Sequence, residues 1–325
     1  LLTRPDGTLA DSMAAPRSRR DVSLGRMPNG TGAWKFLADA TPAQSNSPQK
    51  GYDSVVFDRP WFSHPAGFYS DPLQLALAPT EADTVVRYTL DGGEPTEDSP
   101  LFTAPVEVGS REGDANVLSM ISGIATANQH TDGWKAPLGK VRKATVVRAR
   151  AFRPGALPGP VGTQTYWIGS AALRTDGLPT LSIVTETNGL FDYYRGIYML
   201  GAVFDQYVAS HPGEALTGHT PANYTQRGPA WERAADVECF APDGLLAWSE
   251  PVILDIKGQS SRSFRQKSFG LKARGETGKE NTIEHALFPG LARLGDGAPL
   301  VEFRHLRLRN RSEEHTSELQ SPVVI

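Results

Sequence analysis

A single cysteine, Cys239, stands in 325 residues. That excludes an intrachain disulfide framework and a cysteine-based zinc site. No apolar run approaches the roughly 18 residues of a membrane-crossing helix, so no membrane span is expected. Charge of one sign is also lacking: 33 Lys and Arg against 36 Asp and Glu leave a net charge of −3. No broad basic field speaks for nucleic acid as a partner. Neither GxxxxGK[ST] nor GxGxxG occurs, so the familiar phosphate loops are missing. The opening residues, LLTRPDGTLADS, lack the basic start and apolar core of a signal peptide.

What is abundant is turn chemistry. Gly (32) and Pro (25) make up about 18% of the chain, above the usual 12% or so. Many turns imply short strands rather than a helix bundle. Hydrophobic residues reach 39%, enough for packed cores rather than long disorder. The length alone suggests about two domains.

Three segments follow from the patterning. Leu1 and Leu2 lead into the Pro5-Asp6-Gly7 turn, and Thr8 to Ala10 leave it as a hairpin. In DVSLGRMPNGTGAWKFLADA (21–40), Val22 and Leu24 share a strand face. Trp34 and Phe36 have the period-2 spacing of core plugs, and 42–49 read as a polar linker. Farther on, Leu73, Leu75 and Leu77 alternate, Val85 to Leu90 form a strand ending at Asp91-Gly92-Gly93, and TVVRARAF (145–152) puts Val147, Ala149 and Ala151 opposite Arg148 and Arg150. The stretch 110–143 interrupts this unit, with an extra strand or short helix at 116–124. Trp134, Tyr166 and Trp167 suit either a sugar-stacking platform or core packing, and core packing is favoured.

In the last segment, 178–184 is an apolar strand, 209–222 a polar surface loop, and 236–240 pairs with 248–256 across Pro242-Asp243-Gly244. The segment KGQSSRSFRQKSFGLKARGE (257–276) is the most unusual. Gly258 to Arg262 form a small hydroxyl-rich turn whose backbone N–H groups suit phosphate oxygens. Arg262, Arg265, Lys267 and Lys272 concentrate four cations within about ten residues, enough for charge-assisted bonds to a polyphosphate. A strand over 264–273 would set Arg265, Lys267, Phe269 and Leu271 on one face. Composition alone favours a solvated basic strand with a Ser-Ser turn. Glu232 and Glu238 are possible partners of Lys267, although surface or loop ion pairs suit them better. Cys239 reads as an inert buried thiol, and Asn223-Tyr-Thr225 is an N-glycosylation acceptor pattern.

These motifs carry three family resemblances. Asp11-Ser12, Ser23 to Arg26, Gly32 to Trp34 and Thr41-Pro42 resemble the closing strands of a lamin-tail domain. GFYSDP, RYTLDGGEPT and VVRARAF…TQTYWIG resemble a chitobiase/hexosaminidase C-terminal-type module, a fibronectin-III-like sandwich. LPTLSIVTE, NYTQRGPAWERAADVECF, DIKGQSSRSFRQKSFGLKAR and LRLRN resemble the spore-coat CotH kinase family, a divergent protein-kinase fold described as phosphorylating proteins on Ser/Thr. The resemblances imply a multidomain, mainly β protein. Residues 1–48 would be a partial immunoglobulin-like sandwich, 60–168 the fibronectin-III-like sandwich, and 178–310 an α+β N-lobe portion of the kinase-like fold. They also imply Lys267 as the phosphate-contacting lysine, Arg262 as a second contact or turn-fixing residue, and Ser260 and Ser261 as hydroxyl or backbone donors. ATP with a divalent metal (Mg or Mn) would be the cofactors, and a protein the acceptor. Sandwich modules of this type imply a secreted or cell-surface location, and a non-catalytic adhesion or carbohydrate-binding role is the alternative.

Residues 311–321, RSEEHTSELQS, match the translation of a common sequencing-library adapter, so the reading stops at Asn310. The metal-holding carboxylates of the family lie in the C-terminal lobe, beyond that point. No catalytic or metal-binding residue is therefore assigned, and the 325 residues are expected to be catalytically inactive.

Overall fold

The computed structural model describes residues 1–46, 50–129, 131–169, 177–274, 281–288, 290–293 and 295–310. The adapter-like string 311–321 lies outside them. The chain is mainly β, built from small sheets.

At the N-terminus, Leu2–Thr3 pairs with Leu9–Asp11, closed by the Asp6 carboxylate accepting from the Thr8 amide at 2.9 Å. Ser23–Met27 pairs with Ala33–Leu37, opposing Leu24 to Phe36 and Arg26 to Trp34. The expected pair of core plugs is half right. Phe36 and its neighbour Leu37 are buried, whereas Trp34 is exposed and stacks on the Arg26 guanidinium at 4.7 Å. Phe36 bridges to Tyr52, and with Val55 and Leu157 it forms a small core joining this hairpin to the next unit.

That unit is a sandwich. One layer contains β1 (Gly67–Tyr69), β2 (Val85–Thr89), β3 (Thr145–Phe152) and β4 (Gly162–Ile168), in the order β2-β3-β4-β1, with only the β4–β1 pair parallel. Two short ribbons, Leu73–Leu75 with Val106–Val108 and Trp61–Phe62 with Leu77–Ala78, supply the opposing apolar side chains. Strand alternation explains the core: Leu73, Leu75 and Leu77 meet Val147, Ala149, Tyr166 and Ile168. The Asp91-Gly92-Gly93 turn has the positive φ that glycine supplies, +81° at Gly92. The unit also draws in Ser54–Val55, paired in parallel with Ala156–Leu157. Within the interrupting stretch, Leu118–Met120 is one turn of 3-10 helix.

The last unit is a five-stranded antiparallel sheet in chain order: β5 (Thr180–Val184), β6 (Arg233–Phe240), β7 (Leu246–Lys257), β8 (Ser268–Ala273) and β9 (His305–Leu308). The β6–β7 hairpin turns at Pro242-Asp243-Gly244 as the sequence predicts. Two helices, α1 (Thr187–Phe191) and α2 (Gly201–Ser210), connect β5 to β6. The expected surface loop therefore begins only after a helix that reaches Ser210. Val237, Val252, Leu254, Ile256, Phe269 and Leu271 fill one face, closed by Leu190, Ile197 and Tyr198 from the helical connection.

The other face of this sheet is not solvated where it meets the sandwich. In β4, Tyr166 and Ile168 point into the sandwich core while Thr163, Thr165 and Trp167 point at the sheet. Phe68 stacks on Trp167 at 5.5 Å and meets Phe240 edge-on at 5.4 Å. Arg148 of β3 ion-pairs with Glu186 at 3.2 Å and Asp236 at 3.4 Å, and Thr163 donates to Asp236 at 2.7 Å. Strand β4 is thus buried on both faces.

Truncating Leu254, which is fully buried mid-strand, to alanine should cost about 2–5 kcal/mol. The exposed Leu138 should change stability by less than about 0.5 kcal/mol. Urea unfolding of L254A and L138A measures both.

Candidate functional site

Strand β7 runs straight into the bend that the sequence singled out. Gly258 turns the chain at φ +107°, and a Cβ there would collide with Ser261 Oγ. Ser260–Ser263 then form one 3-10 turn, and β8 begins at Ser268. This corrects the expected strand over 264–273. Residues 264–267 are irregular and Arg265 is exposed, so it does not share a face with Lys267.

The structure brings Ser260, Ser261, Arg262 and Lys267 together at this bend, with both cations inside. Lys267 is 2% exposed. Its Nζ donates to the carbonyls of Arg262 (2.7 Å), Ile124 (2.9 Å) and Phe264 (3.0 Å). It also sits 3.9 Å from the Tyr224 ring centroid and 5.1 Å from that of Tyr198. An ammonium group has three protons, and all three are taken. Burial, with Arg262 close by, drives this amine well below its ordinary pKa.

Arg262 is 4% exposed and is bonded in the same way. Its Nε reaches the Gly258 carbonyl (2.9 Å), Nη1 those of Tyr224 (2.9 Å) and Gln226 (3.1 Å), and Nη2 that of Ile256 (2.6 Å). It ties the bend to the Asn223–Thr225 turn. Neither cation has a carboxylate in hydrogen-bond or ion-pair contact among the described residues.

Neither glutamate considered as a partner reaches Lys267. Glu232 ion-pairs with Lys272 across the sheet. Glu238 lies in the seam between units. Its Oε2 accepts from Thr165, which also meets Ser182 at 2.7 Å, while Oε1 has no partner among the described residues. Burial pushes its carboxyl up to about 7. Cys239 is buried, and burial raises its thiol. Asn223 is 1% exposed and its amide is engaged by the Tyr193 carbonyl and the Val203 amide, so the folded chain offers no glycan acceptor there. Tyr166 and Trp167 are buried, which removes the aromatic platform.

Beside Lys267 lies a cavity of about 230 Å³. Trp134, Lys135, Tyr198, Arg265 and Phe269 line it with Lys267, and no carboxylate does. Sequence reasoning missed Lys135, Tyr198 and Ile124 because they arrive from distant segments. The interruption at 110–143 docks here, with Leu200 donating to the Gly123 carbonyl at 2.8 Å. At the start of β8 the Asn310 backbone amide donates to Ser268 Oγ at 3.0 Å.

Residues 64–121 match the Chitobiase/beta-hexosaminidase C-terminal domain, which agrees with the sandwich. No curated protein and no solved structure matches the chain. The sandwich match covers none of the bend.

Glu238 supplies a pH test. Its raised carboxyl pKa means the folded state holds the proton more tightly, so its stabilisation is full below the ordinary carboxyl range and is lost as pH rises through about 7. Unfolding free energy should fall by up to roughly 1.4 kcal/mol per pH unit between about pH 5 and 7. The Glu238→Gln variant should flatten that slope. Coincident profiles in urea titrations across this range would refute the assignment.

Proposed function

We propose that residues 178–310 are the N-lobe portion of a CotH-type atypical protein kinase fold, and that the cavity beside Lys267 receives the phosphates of a nucleotide such as ATP. What carries the reading is the Lys267–Arg262 pair: two buried cations, without a carboxylate in contact, next to a cavity rimmed by two more cations. Lys267 acts there as fixed positive potential, because its protons are already donated. Lys135 and Arg265 at the rim are the groups that contact phosphate oxygens, and Trp134 offers a face for the base. Ser260 and Ser261 shape the bend that holds the cations in place.

The donor set fits a polyphosphate and does not fit a divalent cation, since no carboxylate lines the cavity. Binding without transfer to a protein acceptor is the activity proposed for these 325 residues. The N-terminal hairpins fit the end of a lamin-tail-type sandwich, and the company of such sandwiches fits a secreted or cell-surface protein.

Calorimetric titration of the whole chain with ATP tests the reading. Arg265→Ala and Lys135→Ala, both outside the packed cores, should each raise Kd about tenfold by removing one charge-assisted contact. No binding at millimolar ATP, or affinity in both variants unchanged from that of the unsubstituted chain, would overturn it in favour of a non-catalytic surface or carbohydrate-binding role. A kinase assay with ATP and magnesium should show no transfer above background.

A further inference from the structure

A second cavity, of about 190 Å³, opens where the insertion at 110–143, the sandwich and the five-stranded sheet meet. Its wall is mainly apolar. Val117 and Leu118 come from the insertion, Val146 and Trp167 from the sandwich, and Val184 and Phe191 from the sheet unit. The insertion lies along this cavity without filling it. Its 3-10 turn, Leu118–Met120, buries no residue, and Val117 is 70% exposed.

The polar groups of the wall are already engaged. Thr165 is bonded to Ser182 and Glu238, and Thr185 donates to the Ala234 carbonyl at 2.7 Å. Lys143 donates to Asn116 Oδ1 at 3.1 Å and to the Val141 carbonyl at 2.9 Å. Arg111 ion-pairs with Asp114 at 2.8 Å, and Arg142 lies over the Trp167 ring at 5.6 Å. Trp167 Nε1 and Ser119 Oγ are sealed from solvent, so a molecule in the cavity does not meet them. Asp91 and Thr187 are exposed, and Asp91 accepts from the Gly93 amide at 2.9 Å. A cavity of this kind selects by burial of apolar surface, and a charged ligand would lose hydration there without replacement. Apolar cavities of this order take up molecules the size of benzene.

We propose that this cavity binds one small uncharged apolar molecule, the size of a single aromatic ring, between the insertion and the sheet. The site shares only Ser119 with the cavity beside Lys267 and does not depend on the reading given to that one.

The test is calorimetry on the full chain with benzene and toluene, and with benzoate and benzylamine as rings of the same size that carry a charge. The hydrocarbons should bind with Kd near the millimolar range or below, and both charged rings at least tenfold more weakly. Val146 projects from β3 away from the sandwich core, so Val146→Phe should fill the cavity and abolish binding. Leu118→Ala, at a partly exposed wall position, should weaken binding severalfold without disturbing the packed cores. Circular dichroism checks that both variants are folded, and Leu118→Ala carries the test alone if Val146→Phe is not. Absence of heat with either hydrocarbon at its aqueous solubility, tighter binding of a charged ring, or unchanged affinity in the folded variants overturns the proposal.

Discussion

Two positive charges are held inside this protein with backbone carbonyls as their only hydrogen-bond acceptors among the described residues. Taking an ammonium or guanidinium group out of water is expensive unless hydrogen bonds replace the lost hydration. Lys267 and Arg262 meet that demand with seven carbonyl contacts between them. Those carbonyls come from the bend, from β7, from the Tyr224 turn and from Ile124 in the sandwich's own insertion. The cations therefore dictate where four stretches of chain must meet. Gly258 has to turn sharply, and the insertion has to reach across from the sandwich. Aromatic faces at Tyr224 and Tyr198 complete the enclosure.

The same insertion explains why sandwich and sheet are not beads on a string. Strand β4 belongs to the sandwich by hydrogen bonding, yet half its side chains serve the sheet. Thr165, Ser182 and Glu238 make a buried polar seam beside the Phe68, Trp167 and Phe240 cluster. Arg148 satisfies two carboxylates from the sheet unit while its strand neighbours Val147 and Ala149 fill the sandwich. Buried polar groups of this kind are tolerable only when matched, and Glu238 Oε1, without a partner among the described residues, goes with the raised pKa of that carboxyl.

Much of this was legible from alternation. Val147, Ala149 and Ala151 point inward as their spacing requires, Leu73 to Leu77 do likewise, and Pro242-Asp243-Gly244 closes the hairpin it announces. The side facing away from a core was not legible. Arg148 looks solvated in sequence because nothing local says that β6 will cover it. Lys267 sits in a run of basic and polar residues that reads as surface, and its burial depends on Ile124, Tyr198 and Tyr224, which are distant in the chain. Trp34 shows the converse. Its period-2 spacing with Phe36 promised burial, but Leu37 took the second core position and left the indole to an arginine. The cluster of Ser260, Ser261, Arg262 and Lys267 was foreseeable as a group, whereas the saturation of the lysine by carbonyls was not.

Cys239 has one more consequence. It is the sole thiol of the chain, sealed within β6 between two paired strands. A maleimide or similar alkylating probe can reach it only when those strands part. The rate of labelling in native buffer is thus a direct clock for transient opening of the central sheet, with no competing sulfur to confuse the signal.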